Sequence, residues 1–240
     1  MSEIPENENR EENIENNTEE IIDENKEETN PESVTEQTKA FSLGREVFEW
    51  VYTIGIALII AFLIKSFVAD IVKVDGRSME TTLHHEDRLI ITKLGYKPEV
   101  KDIVILDSNY EKRQEYYENN NFSEIDKALK YNDVPERFKK RYYVKRIIAK
   151  EGQTVDIVGG KVLVDGKVLD EPYIDQITRI TDPTVTYPVT VKKGYVFVMG
   201  DNRGNSTDSR SSSLGQVPVE AILGKAQLRI WPLDSIKLVK

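Results

Sequence analysis

The chain has 240 residues and a formal net charge of −9, a length that suits one or two domains. It contains no cysteine, which excludes disulfide scaffolds, thiol nucleophiles and cysteine-based zinc sites. The charge is lopsided. Residues 1–45 hold 14 acidic and four basic groups, whereas the rest of the chain holds 28 acidic and 29 basic. The folded part therefore offers no basic surplus for a nucleic-acid partner, and none is expected.

Residues 1–45 are rich in Glu and Asn and poor in aromatics. Such a segment cannot bury enough apolar surface to offset its ordering entropy, so a disordered acidic tail is expected. From Trp50 to Ile64 no residue is charged, a stretch of roughly 22 Å at helical rise. Extension to Ala69 takes in Lys65, which can snorkel, and reaches the roughly 30 Å of a bilayer core. A transmembrane helix over 46–70 follows, with Trp50 and Tyr52 at the interface. Lys39 and Arg45 precede it, and Lys65 and Lys73 follow it, so charge alone leaves its orientation open.

Beyond Ile71 short β-branched runs recur, among them DRLIITK, DIVIL, YYVKRIIA, KVLVDG, YVFVMG and KAQLRIW, separated by Gly, Pro, Asp and Asn. The pattern predicts a mainly β domain of antiparallel strands over 71–240. A smaller β subdomain is expected at about 153–195, where Gly159-Gly160 and Asp165-Gly166 are hairpin turn pairs. Residues 108–141 are polar, rich in Tyr and Lys, and read as a weakly helical insertion between two strands.

Three clusters could carry chemistry: GRSMETTL (76–83), YYVKRIIA (142–149) and GDNRGNSTDSR (200–210). Ser78 follows Gly76 at the end of an expected strand. A serine becomes a nucleophile only with an activating base and an oxyanion donor. Lys145 sits among strong β-formers, and desolvation there would lower its pKa far enough for base chemistry. In the third cluster Asp201, Arg203, Asp208 and Arg210 could pair within the loop and hold it rigid, with Ser206 and Ser209 presenting hydroxyls. His84 and His85 are adjacent and point to opposite faces of extended chain, so neither a metal site nor a Ser-His-Asp triad is expected.

In this order behind one apolar helix, the clusters resemble bacterial type I signal peptidase. The matching boxes are Ser78-Met79 with Thr82-Leu83, Asp87-Arg88-Leu89, Val144-Lys145-Arg146-Ile147, and Gly200 through Arg210. The resemblance implies an antiparallel β catalytic domain with an N-terminal transmembrane helix. It implies a membrane-bound serine endopeptidase that removes signal peptides after small residues at −1 and −3. Ser78 would be the nucleophile and Lys145 the neutral base. Ser206 would orient the lysine, and Asp208 would hold the site through Arg210. The Ser78 N–H would supply the oxyanion donor, with backbone help only from Gly76. Val74, Met79 and Val144 would line the substrate pockets, and a bound peptide would add as a strand beside residues 72–76. Secretory precursors and membrane lipid are the implied partners, with no cofactor and no metal. The N-terminus would be cytoplasmic and the catalytic domain extracytoplasmic.

The chain departs from the pattern at Thr81, where the family has proline, which predicts a looser turn behind the nucleophile. It departs again at Ala149-Lys150-Glu151-Gly152-Gln153, where only the glycine of the usual GLPGD remains. Two other readings compete: a membrane-tethered β-rich binding module without activity, and a related Ser-Lys autoprotease. The apolar helix counts against the second, and the intact GDNRGNSTDSR loop against the first.

Overall fold

The computed structural model describes residues 43–63 and 69–239, with side chains from Val47 onward in the first stretch. The expected disordered tail lies outside the described residues up to position 42, as do residues 64–68 of the expected transmembrane segment. Helix α1 spans Leu43–Leu63, so it begins within the span assigned to the tail. Among the described residues no helix is long and apolar enough to cross a membrane. The large apolar side chains of α1 are nonetheless exposed, from Val47 and Phe48 to Phe62 and Leu63.

The rest is mainly antiparallel β, as the alternating β-branched runs require. The strands of the main sheet are β1 (Ala69–Lys73), β2 (Arg88–Thr92), β3 (Ile103–Asp107), β4 (Tyr142–Lys150), β9 (Tyr195–Met199), β10 (Val217–Pro218), β11 (Ile222–Trp231) and β12 (Lys237–Leu238). Their order is β1-β2-β11-β3-β4-β9-β10, with β12 also on β11. A second sheet, in the order β7-β6-β5-β8, is built from β5 (Thr154–Val158), β6 (Lys161–Val164), β7 (Lys167–Val168) and β8 (Val189–Thr190). The two expected turn pairs close its hairpins. Val158 pairs with Lys161 and Val164 with Lys167, and both residues of each turn take positive φ, the geometry that matches strand twist.

Position within the sheet decides what β4 can carry. It runs between β3 and β9, with Val104 opposite Lys145 and Ile105 opposite Val144. Every residue of β3 is buried, so β4 is wrapped in apolar surface on its β3 side. One core cluster gathers Val74, Met79, Leu83, Leu89, Ile91, Ile103 and Ile105. Another joins Ile148, Ala149, Phe197 and Met199 of the main sheet to Val155, Val162 and Val191 around the second. Burial of each such Ile, Leu or Phe is worth about 1.5–3 kcal/mol, which holds the second sheet against the first.

The segment between β3 and β4 forms α2 (Tyr110–Asn119) and α3 (Glu124–Leu129), followed by two short 3₁₀ turns. Ser123 caps α3 through a reciprocal pair with Asp126, the arrangement that satisfies two orphan N–H groups at once. Stacking of Tyr116 on Phe138, with ring centres 4.7 Å apart, folds the lobe on itself. At its neck Asp107 accepts from the Arg141 and Asn109 N–H groups, both at 3.1 Å, and pairs with Arg113 at 2.5 Å. Both charges are buried, at 5 % and 4 % exposure. Removing one partner of such a pair strands the other charge in low dielectric. Asp107→Asn is accordingly expected to cost about 3 kcal/mol, measured from the midpoint of urea unfolding. An unchanged midpoint would show that the lobe does not depend on the pair.

Candidate active site

Ser78 stands in a turn immediately after β1, and Lys145 projects from the middle of β4. The fold brings them together: Lys145 Nζ donates to Ser78 Oγ at 2.7 Å and to the Val144 carbonyl at 3.0 Å. Lys145 is 3 % exposed, and the Tyr143 ring centre lies 5.0 Å from its nitrogen. Desolvation pushes the amine down to about 8, against the opposing fields of Asp208 and Asp201 and with the help of Arg210. Burial therefore outweighs two nearby carboxylates.

The loop after β9 frames this pair. Asp208 accepts from Arg210 Nε at 2.9 Å and Nη2 at 2.8 Å, and from the Gly200 N–H at 3.0 Å. Burial opposes ionisation of Asp208, yet the Arg210 bonds and charge prevail and hold its carboxyl below the usual range. The Ser206 hydroxyl contributes to that lowering; it is buried and has no well-formed hydrogen bond to Lys145 or to another group among the described residues. Gly200 is the point of closest approach. A Cβ built there would overlap Ser206 Oγ and the Ser78 carbonyl oxygen, so only glycine lets the loop lie against the serine turn. That carbonyl accepts from the Asn202 N–H at 3.0 Å, and Asn202 Nδ2 donates to the Arg77 carbonyl at 3.0 Å.

Several expected roles change. Asp208 and Arg210 pair as anticipated, but Asp201 and Arg203 do not pair with each other. Asp201 takes a bidentate bond from Arg146, at 2.9 and 2.7 Å, and the hydroxyl of Thr82 at 2.5 Å. Arg203 pairs instead with Glu171. Ser209 accepts the Val198 N–H at 2.9 Å and faces the strand. The Gly76 N–H donates to His85 Nδ1 at 3.2 Å, so it is not free to serve an oxyanion. The Ser78 N–H has no acceptor among the described residues. Met79 is 1 % exposed and belongs to the core cluster. Val74 is 3 % exposed and spends its N–H and carbonyl on Asp87 and Glu86. Val144 remains partly open. The turn at Thr81 is not loose, because its hydroxyl donates to the Tyr173 carbonyl at 2.7 Å.

Sequence reading placed Arg146 and Thr82 in motif boxes but missed their shared partner Asp201, and it missed Tyr173. A charged residue inside a run of core formers was the available signal for Arg146, whose guanidinium carbon sits 3.8 Å from the Tyr173 ring centre. Chemically, the constellation offers a hydroxyl in contact with an amine that sheds its proton near neutral pH, and an unengaged N–H on the same residue. Those are the requirements of acyl transfer by a serine with a lysine base.

A family model described as "Signal peptidase, peptidase S26" matches residues 47–231. A probable signal peptidase I-2 of Synechocystis is 36 % identical over 191 residues, covering 78 % of this chain and 74 % of its own. A signal peptidase I of Bacillus licheniformis is 32 % identical over 213 residues, covering 85 % and 98 %. The signal peptidase I T of Bacillus subtilis is 33 % identical, covering 80 % and 89 %. The chain belongs to the signal peptidase family.

Burial of Lys145 can be read directly. Its Nζ resonance should titrate with a midpoint near 8 in the folded protein, against 10.5 for an ordinary lysine. Folding then becomes more favourable as pH rises from about 8 toward 10.5. A midpoint at the ordinary value would show that the amine is solvated.

Proposed function

We propose that this member of the family is a membrane-bound serine endopeptidase that cleaves N-terminal signal peptides from secretory precursors, with Ser78 as nucleophile and Lys145 as general base. The observation that carries the reading is the 2.7 Å contact between Lys145 Nζ and Ser78 Oγ, made by an amine brought down to about 8. Once that amine is neutral the hydrogen bond reverses, and the Ser78 hydroxyl donates to the nitrogen lone pair. Ser78 Oγ attacks the scissile carbonyl while Lys145 accepts its proton. The Ser78 N–H faces the developing oxyanion. The lysine ammonium then gives its proton to the departing amine, leaving an ester on Ser78. Water, deprotonated by the same lysine, hydrolyses that ester and restores both groups.

Asp208, held by Arg210, fixes the loop that supplies Ser206, and Ser206 orients the lysine. The substrate enters extended, pairing along the outer edge of β1, the end strand of the main sheet among the described residues. Val74 and Glu86–Asp87 already bond to each other, so the backbone groups of Lys73 and Asp75, directed the other way, are the ones left for it. Val144 lies in the wall that admits small residues at −1 and −3. Preference for small side chains follows from a shallow apolar wall that excludes bulk.

The exposed apolar side chains of α1 support an N-terminal membrane anchor. The N-terminus is then cytoplasmic and the β domain stands on the outer face, where precursors emerge and lipid is a partner.

The test is cleavage of a secretory precursor by detergent-solubilised protein. Ser78→Ala and Lys145→Ala are each expected to lower kcat at least 10³-fold, on the scale of losing a nucleophile or its base. The parent's rate should climb with pH to a plateau past about 8, since only neutral lysine takes a proton. Cleavage by both variants at the parent rate, or a rate indifferent to pH from 6 to 9, contradicts the assignment.

A further inference from the structure

Between β7 and β8 the chain runs without strands or helices. Residues 171–182 of this stretch form a strap bonded along the loop that holds Asp208. The Glu171 carboxylate and the Thr178 hydroxyl both take Arg203. Gln176 Oε1 accepts from the Gly204 N–H at 2.8 Å. The Arg179 carbonyl accepts from Arg210 Nη1 at 3.2 Å, and Asp182 accepts from the Ser212 N–H at 2.8 Å. Little apolar packing holds the strap. Cavities of about 470 and 440 Å³ open on its flanks, one at Pro172 and Tyr173, the other at Gln176 and Ile177. Polar contacts must therefore fix its place.

At one point the strap reaches the serine turn itself. Thr81 is three residues from Ser78, and its hydroxyl donates to the Tyr173 carbonyl at 2.7 Å. The Tyr173 ring in turn lies under the guanidinium of Arg146, the neighbour of Lys145 on β4. Tyr173 thus touches both sides of the candidate dyad: the turn through its carbonyl and the strand through its ring. A proline at position 81 would fix its own φ from within the chain. Threonine leaves that dihedral free, and the bond to Tyr173 restrains the turn from outside.

We propose that Thr81 and Tyr173 are positioning residues, which hold Ser78 in register with Lys145 by tying the serine turn to the strap; the proposal rests on the Ser78–Lys145 reading above. Neither residue touches substrate. Their loss should lower the fraction of molecules in the reactive geometry without changing how peptide binds.

Precursor cleavage by the full chain in detergent tests this. Thr81→Val keeps the shape and removes the donor. It is expected to lower kcat about tenfold, to leave KM within about twofold, and to leave the pH midpoint of kcat in place. Thr81→Ser, which restores the hydroxyl, should return kcat to within about twofold of the parent. Tyr173→Leu keeps the carbonyl but removes the ring under Arg146, and should lower kcat with the same unchanged KM. It also serves as the independent variant if Thr81→Val does not fold. Parent-like kcat for Thr81→Val and Tyr173→Leu, alongside an inactive Ser78→Ala, overturns the positioning role alone. Equal losses for the Val and Ser variants, accompanied by a lowered Tm, overturn it too, since they mark a structural role. Cleavage by Ser78→Ala overturns the underlying reading instead.

Discussion

An ammonium group is costly to bury, and the candidate site depends on the fold bearing that cost at Lys145. The lysine sits on a strand whose neighbour β3 is buried along its whole length. Desolvation there is the largest influence on the amine and exceeds the attraction of Asp208 and Asp201. Were those carboxylates free of their arginines, their full charges would keep the proton on the lysine. Arg210 occupies Asp208 and Arg146 occupies Asp201, so each acid presents a largely neutralised pair. The two ion pairs thus permit rigid polar scaffolding close to a buried amine whose pKa desolvation holds down.

Buried ion pairs contribute little net stability, because their desolvation offsets most of the attraction. Here they give geometry. The Arg146–Asp201–Thr82 chain joins β4 to the closing loop and to the serine turn, and the Arg210–Asp208–Gly200 chain closes the loop on itself. Gly200 lets the loop approach the Ser78 carbonyl, and Asn202 bonds to it. A turn, a strand and a loop distant in sequence are thereby held to one another by hydrogen bonds with little room to slide.

How far this was legible in the chain depended on range. Strands could be read wherever β-branched residues recurred, and Gly159-Gly160 and Asp165-Gly166 marked their turns without ambiguity, because few other pairs accept positive φ twice. The short helices of the insertion were harder to place: their composition is polar, and their core of Tyr116, Phe122 and Phe138 forms only on folding. Ser78 and Lys145 could be nominated from motif order, since neither stands out alone. Pairings across the fold could not be read. Asp201 and Arg203 are two residues apart and invite pairing, yet each has a long-range partner that only the register of β4 or the path of residues 171–182 supplies. The substrate-lining role of Met79 comes from the resemblance; which way a turn residue points is settled by packing, and Met79 is buried in the core cluster. The strap left no mark because irregular segments carry no periodicity.

The insertion between β3 and β4 enters and leaves at one place. Ser108 donates to the Arg141 carbonyl, and the Arg141 N–H returns to Asp107, so the strands are already registered where the lobe begins. Outward of that clasp the lobe still touches the main sheet, where Glu111 of α2 accepts from the Tyr195 hydroxyl of β9 at 2.8 Å. The pairing of β3 with β4, and with it the place of Lys145 opposite Val104, is therefore set by the strands themselves rather than by the length of chain between them.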